Sequence, residues 1–151
     1  MDPLFAAAAL VGLVGVSTLA GVLWRIRDGR VRVVSEPTAA ETFTPSDFDG
    51  AVSFADRATL VQFSTEFCSR CPSTERMLRT VASGFGGVDI AVVDLTSRRD
   101  LAARFRITQT PTVLVLDADG RLLARSGGVP QRAAVEAILS TLSPRSSHVA
   151  H

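Results

Sequence analysis

Cys68 and Cys71 are the only cysteines of the 151-residue chain, and they stand two residues apart in the stretch QFSTEFCSRCPS, residues 62–73. A pair at this spacing can clip a metal, close a structural disulfide, or shuttle electrons by thiol–disulfide exchange. A structural zinc site takes four ligands, usually from two such pairs. Here the only histidines are His148 and His151, in the tail, so no metal is expected. A structural disulfide across two residues closes too short a loop to constrain the unfolded chain much. Placement favours exchange. Cys68 follows a strand-like run, and Cys71 falls in the first turn of a helical pattern. Unpaired N–H groups and the helix dipole favour a thiolate there, and Arg70 adds a positive charge between the two sulfurs. On this reading Cys68 attacks a disulfide and Cys71 resolves the product.

Several elements must position the pair. TLVQFS (59–64) reads as a buried strand and VDIAVVDL (88–95) as a second. SRCPSTERMLRTVAS (69–83) is a helix with Cys71, Leu78 and Val81 on one face, ended by GFGG. SRRDLAARFRI (97–107) is a helix with Leu101 and Phe105 four apart. TVLVLD (112–117), the turn DADG and RLLAR (121–125) form a hairpin. Pro130 suits the first turn of a last helix whose apolar face is Val135, Ile138, Leu139 and Leu142. Strands alternating with helices predict an α/β fold with a parallel core and the hairpin as an antiparallel edge.

Residues 4–24 contain no charged residue over 21 positions. As a helix they span about 31 Å, close to a bilayer core, and Trp24 sits where an interfacial aromatic belongs. A cleaved signal peptide is the rival reading, but MDP supplies no basic start and the run is long. Arg25, Arg27, Arg30 and Arg32 follow the run and only Asp2 precedes it, which places the C-terminal side in the cytoplasm. The expected organisation is an anchor at 1–24, a juxtamembrane linker at 25–41 with a short extended piece at 31–34, a globular domain at 42–142 and a disordered tail at 143–151. With 16 basic against 15 acidic residues, nothing calls for nucleic acid as a partner.

LVQFSTEFCSRC resembles the active-site strand and turn of thioredoxins. FTPSDF (43–48) is similar to that family's first strand and turn, and RITQTPTVLVLDADGRLLARSGG (106–128) to its second signature. The resemblance covers about 42–142. It implies a thioredoxin-like fold, a mixed sheet flanked by helices, and a cis Pro111 facing the cysteine pair. It also implies that the Thr110 backbone pairs with a bound peptide and that Gly127 and Gly128 line the same groove. The implied activity is thiol–disulfide oxidoreduction with no cofactor beyond a redox-active Cys68–Cys71 disulfide. The partners implied are protein or small-molecule disulfides and a dithiol or thioredoxin-reductase-type electron donor.

The chain departs from the family pattern. Ser69-Arg70 replaces Gly-Pro between the cysteines, which pushes towards a more oxidising couple. Phe67 replaces a tryptophan and keeps an apolar rim for substrate. Gln62 stands where the family has a buried aspartate and Val92 where it has the lysine partner, so both halves of a buried pair are gone together. Pro72 follows the second cysteine, and Arg76 occupies the place of a helix-kinking proline. The favoured function is a membrane-tethered reductase facing the cytoplasm. The alternatives are an extracytoplasmic oxidase, isomerase or cytochrome-maturation reductase, and a non-catalytic binding module.

Overall fold

The computed structural model describes residues 3–27, 32–33 and 41–143. The elements are α1 (Pro3–Arg27), β1 (Arg32–Val33), a 3-10 turn at Pro45–Phe48, β2 (Ala58–Ser64), α2 (Cys71–Ser83), β3 (Val88–Asp94), α3 (Arg99–Arg104), β4 (Thr112–Asp117), β5 (Leu122–Gly127) and α4 (Arg132–Ser140). The five strands form one sheet in the order β1-β5-β4-β2-β3.

Strand side chains alternate between two faces, and the two cores divide accordingly. Val61, Phe63, Leu114 and Leu116 pack with Phe48, Leu101 and Phe105 on one side. Leu60, Val113 and Val115 pack with Leu78 and Val81 of α2 and Val135 and Leu139 of α4 on the other. Each of these side chains buried in full stabilises the fold by roughly 1.5–3 kcal/mol. Phe48 organises the first core, stacking on Phe105 at 4.7 Å and meeting Phe43 edge-on at 5.9 Å.

The expected parallel core is corrected. Among the described strands only β2 and β3 pair in parallel; β4 runs antiparallel to both β2 and β5 and sits inside the sheet. The six residues of α3 rise about 9 Å, short of the roughly 23 Å that the seven residues of β3 extend. The helix therefore does not run back along the sheet, and the chain enters β4 at the end where β3 finished.

Other expectations shift too. The helix predicted over 97–107 is confined to Arg99–Arg104. β3, predicted buried, is an edge strand with Asp89, Val92 and Asp94 exposed, Val92 by 37%. At that edge the Asp89 carboxylate accepts the Ile90 N–H at 2.7 Å. Pro130 lies before the cap of α4, since Gln131 caps it and the helix starts at Arg132. The strand expected at the start of the domain is a single bridge, Thr42 to Arg121, followed by the 3-10 turn.

The extended piece expected at 31–34 is β1, which pairs antiparallel with β5 through Arg32–Arg125 and Val33–Ala124. The rest of the linker between 34 and 40 and the tail from 144 lie outside the described residues. In α1 the described side chains are those of 10–23, all exposed. Among the described residues no helix is long and apolar enough to cross a membrane.

The β4–β5 turn depends on Gly120. Its φ is +80°, and a Cβ there would strike the Phe43 carbonyl oxygen and come within 2.5 Å of Phe54 Cε2. Gly50 has a φ of +78° with open space around it. Gly50→Ala should therefore cost about 1 kcal/mol, the left-handed penalty alone. Gly120→Ala should cost roughly 2 kcal/mol or more, because it adds a clash. Urea midpoints of the two variants check the order.

Candidate functional site

β2 delivers its C-terminal end to a loop that leads straight into α2. Cys68 lies in that loop and Cys71 is the first residue of the helix. They form a disulfide with Sγ–Sγ at 2.06 Å and Cα–Cα at 5.5 Å. Cys68 is partly exposed, whereas Cys71 is 2% exposed. The Cys68 N–H donates to the Thr65 carbonyl at 3.1 Å and the Cys71 N–H to the Cys68 carbonyl at 3.2 Å. Pro72 stands in the first turn, where a missing N–H costs no helical bond. Arg70 is the exposed N-cap residue. Its carbonyl accepts bonds from Ser73 Oγ and Thr74 Oγ1, each at 2.9 Å.

A second segment meets this loop at the same end of the sheet. The Thr110–Pro111 bond is cis. The Thr65 and Thr110 hydroxyls stand 3.4 Å apart. The Gly128 N–H donates to the Pro111 carbonyl at 2.8 Å, so Thr110, Pro111 and Gly128 form one connected edge. The two glycines serve different ends. Gly128 has a φ of +93°, which only glycine adopts readily. Gly127 leaves room for the Gln109 amide, which would lie 2.9 Å from an added Cβ. Phe67 is 85% exposed beside Cys68 in sequence, a large apolar surface at the rim.

Gln62 lies beneath the start of α2, fully buried, and its Nε2 donates to the Cys71 carbonyl at 3.1 Å. Its Oε1 is buried and has no partner among the described residues. Val92 is its neighbour across the β2–β3 pair but opens to solvent, so a charge at position 92 would not be enclosed. Among the described residues no three His, Cys, Asp or Glu side chains gather as metal ligands.

Three positioning residues carry no sequence signature: Thr65, Gln109 and Thr96. Thr96 Oγ1 accepts the Glu66 N–H at 3.0 Å, and its own hydroxyl and N–H donate to the Asp94 carboxylate at 2.5 and 2.8 Å. This chain of bonds ties the cysteine loop to the end of β3.

A family profile described as Thioredoxin matches residues 39–141. The chain belongs to the thioredoxin family. It is 29% identical over 97 residues to thioredoxin C-2 of Corynebacterium nephridii, covering 64% of this chain and 89% of that one. It is 31% identical over 96 residues to protein disulfide-isomerase A4 of Rattus norvegicus, covering 57% of this chain but 15% of that longer protein. Among solved structures, chloroplastic thioredoxin z superposes with a TM-score of 0.52 at 25% identity, covering 68% of this chain and 92% of its own. The fold is thioredoxin-like, and this thioredoxin-family protein is a thiol–disulfide oxidoreductase with Cys68 and Cys71 as its redox pair.

The Thr96 hydroxyl, followed by the Thr96 N–H, holds the Asp94 carboxyl below its ordinary value of 3.8. A depressed carboxyl contributes stability above its unfolded pKa and loses it as pH falls through the lower folded value. The Thr96 amide resonance should therefore stay constant down to about pH 4 and shift only below it. Asp94→Ala should move that resonance at neutral pH and remove the acid step. An NMR titration of the Thr96 amide checks both.

Proposed function

We propose that the protein is a membrane-tethered disulfide reductase whose thioredoxin domain faces the cytoplasm. The observation that carries this reading is the sequence around α1. An uncharged run at 4–24 lies within a 25-residue helix, and Arg25, Arg27, Arg30 and Arg32 follow it. Leu10, Val11, Leu13 and Leu19 of that helix are 64–72% exposed, an apolar surface that water does not favour. The 21 uncharged residues of the sequence match a bilayer core in number, and arginines on one flank favour the cytoplasmic side for the domain that follows.

In this reading the reduced form carries a Cys68 thiolate at the exposed position. Its sulfur attacks one sulfur of a substrate disulfide, and the other leaves as a thiolate. The Cys71 thiolate then attacks Cys68 Sγ, releases the second substrate sulfur and closes the Cys68–Cys71 disulfide. An external dithiol protein returns two electrons and two protons. Arg70 favours the attacking thiolate. Phe67 offers an apolar rim, and the edge made by Thr110, Pro111, Gly127 and Gly128 receives the substrate backbone. Gln62 brings no carboxylate beneath Cys71, so the resolving proton leaves to water or to the departing substrate thiolate.

Cys68→Ser should bring reduction of a protein disulfide to the uncatalysed rate. Cys71→Ser should trap substrates as mixed disulfides that run as higher-mass bands without reductant. Turnover persisting in Cys68→Ser would overturn the role of Cys68.

Topology is read by a membrane-impermeant maleimide on reduced cells. Labelling only after permeabilisation supports the cytoplasmic reductase. Labelling of intact cells moves the domain outside, where disulfides are stable products rather than substrates to be cleared.

A further inference from the structure

On the sheet face opposite α2 a cavity of about 390 Å³ is lined by Glu41, Phe43, Arg104, Phe105, Arg106 and Arg125. The face follows from register. Arg125 pairs with Leu114, whose side chain belongs to the Phe105 core, and antiparallel partners share a face. The rings of Phe43 and Phe105 stand 5.2 Å apart at the wall. Three guanidinium groups thus surround an aromatic wall with one carboxylate.

Of the three arginines, only Arg104 pairs with a carboxylate among the described residues. Arg125 Nη2 donates to the Phe105 and Arg106 carbonyls at 2.7 and 2.9 Å. Among the described residues neither Arg125 nor Arg106 has an ion-pair partner. Burial lowers the Arg125 pKa, Glu41 opposes this, and the neighbouring charge of Arg106 adds to it. Arg106 has a φ of +49°, a conformation that long side chains rarely adopt and that the surroundings must hold. Arg104 is already engaged, donating to the Asp47 carbonyl at 2.8 Å and lying 3.8 Å from Asp49.

We propose that this cavity binds a phosphate ester, with Arg106 and Arg125 gripping the oxyanion and Phe43 and Phe105 receiving the organic part. Guanidinium groups match phosphate oxygens in a fork, and the volume is that of a small-molecule pocket. The position of β1 points to a source. Arg32, the partner of Arg125, lies five residues beyond Arg27 at the end of α1, a reach of at most about 18 Å. With α1 in a bilayer the cavity lies at the headgroup layer, so an anionic lipid supplies the phosphate. That placement rests on the tether proposed above; the site itself does not.

The test uses the full chain in neutral dodecyl maltoside micelles. Amide shifts are followed against dihexanoyl phosphatidylglycerol, dihexanoyl phosphatidylcholine and inorganic phosphate. The phosphatidylglycerol should shift Phe105, Arg106 and Arg125 and bind roughly tenfold or more tightly than the phosphatidylcholine. Arg125→Gln should weaken it by a similar factor. Arg106→Gly keeps the left-handed backbone while removing the charge, so it should lose affinity with the thermal midpoint maintained. Binding of inorganic phosphate alone, at the same residues, supports the site and assigns it a soluble ligand. No binding by either phosphate source, or equal binding by both variants and the parent, overturns the proposal. Carbonate extraction of cell membranes reads the tether separately. A chain that washes off membranes yet binds phosphatidylglycerol in micelles sinks the tether and keeps the site.

Discussion

The antiparallel entry of β4 beside β2 is the constraint on which the site depends. The six-residue α3 does not carry the chain back along the sheet. The end of β2 and the start of β4 then share one end of the sheet, with Phe63 opposite Thr112. This brings the Thr110–Pro111 segment up to the loop that holds Cys68. A β4 parallel to β2 would have placed that proline at the other end of the sheet. The chemistry rests on strand direction before it rests on any side chain.

Beneath the pair the protein has a neutral solution to a polar problem. The carbonyl of Cys71 is covered by the Gln62 amide, which satisfies it without bringing a charge into the core. A carboxylate at position 62 would need a counter-charge, and its strand neighbour Val92 is apolar and open to water. Desolvating an ion there costs more than an exposed partner returns. Gln62 and Val92 are consistent as a pair, and the shallow burial of the edge strand explains why.

Much of this was legible in the residues. β2, α2 and β4 lie within a residue or two of their expected bounds, because apolar periodicity and Pro or Gly punctuation agree there. Cys68 and Cys71 announce themselves by spacing, and the cis Pro111 follows from the family resemblance. The strand at 88–94 misled because a continuous apolar run reads alike at the centre and at the edge of a sheet. Parallel and antiparallel neighbours also leave the same pattern, so the place of β4 was hidden. Thr65, Thr96 and Gln109 act through single hydrogen bonds from loops, which leave no period to detect.

The exposed edge at β3 has a consequence for how copies of the chain meet. A free strand edge presents backbone amides that another chain's strand can adopt, and that is a route to polymers. Here Asp89 folds back on the next residue and occupies the Ile90 amide with its own carboxylate. An incoming strand would have to displace that bond and lie against a negative charge. The redox pair faces one end of the sheet, and this bond guards the side of it against strand pairing.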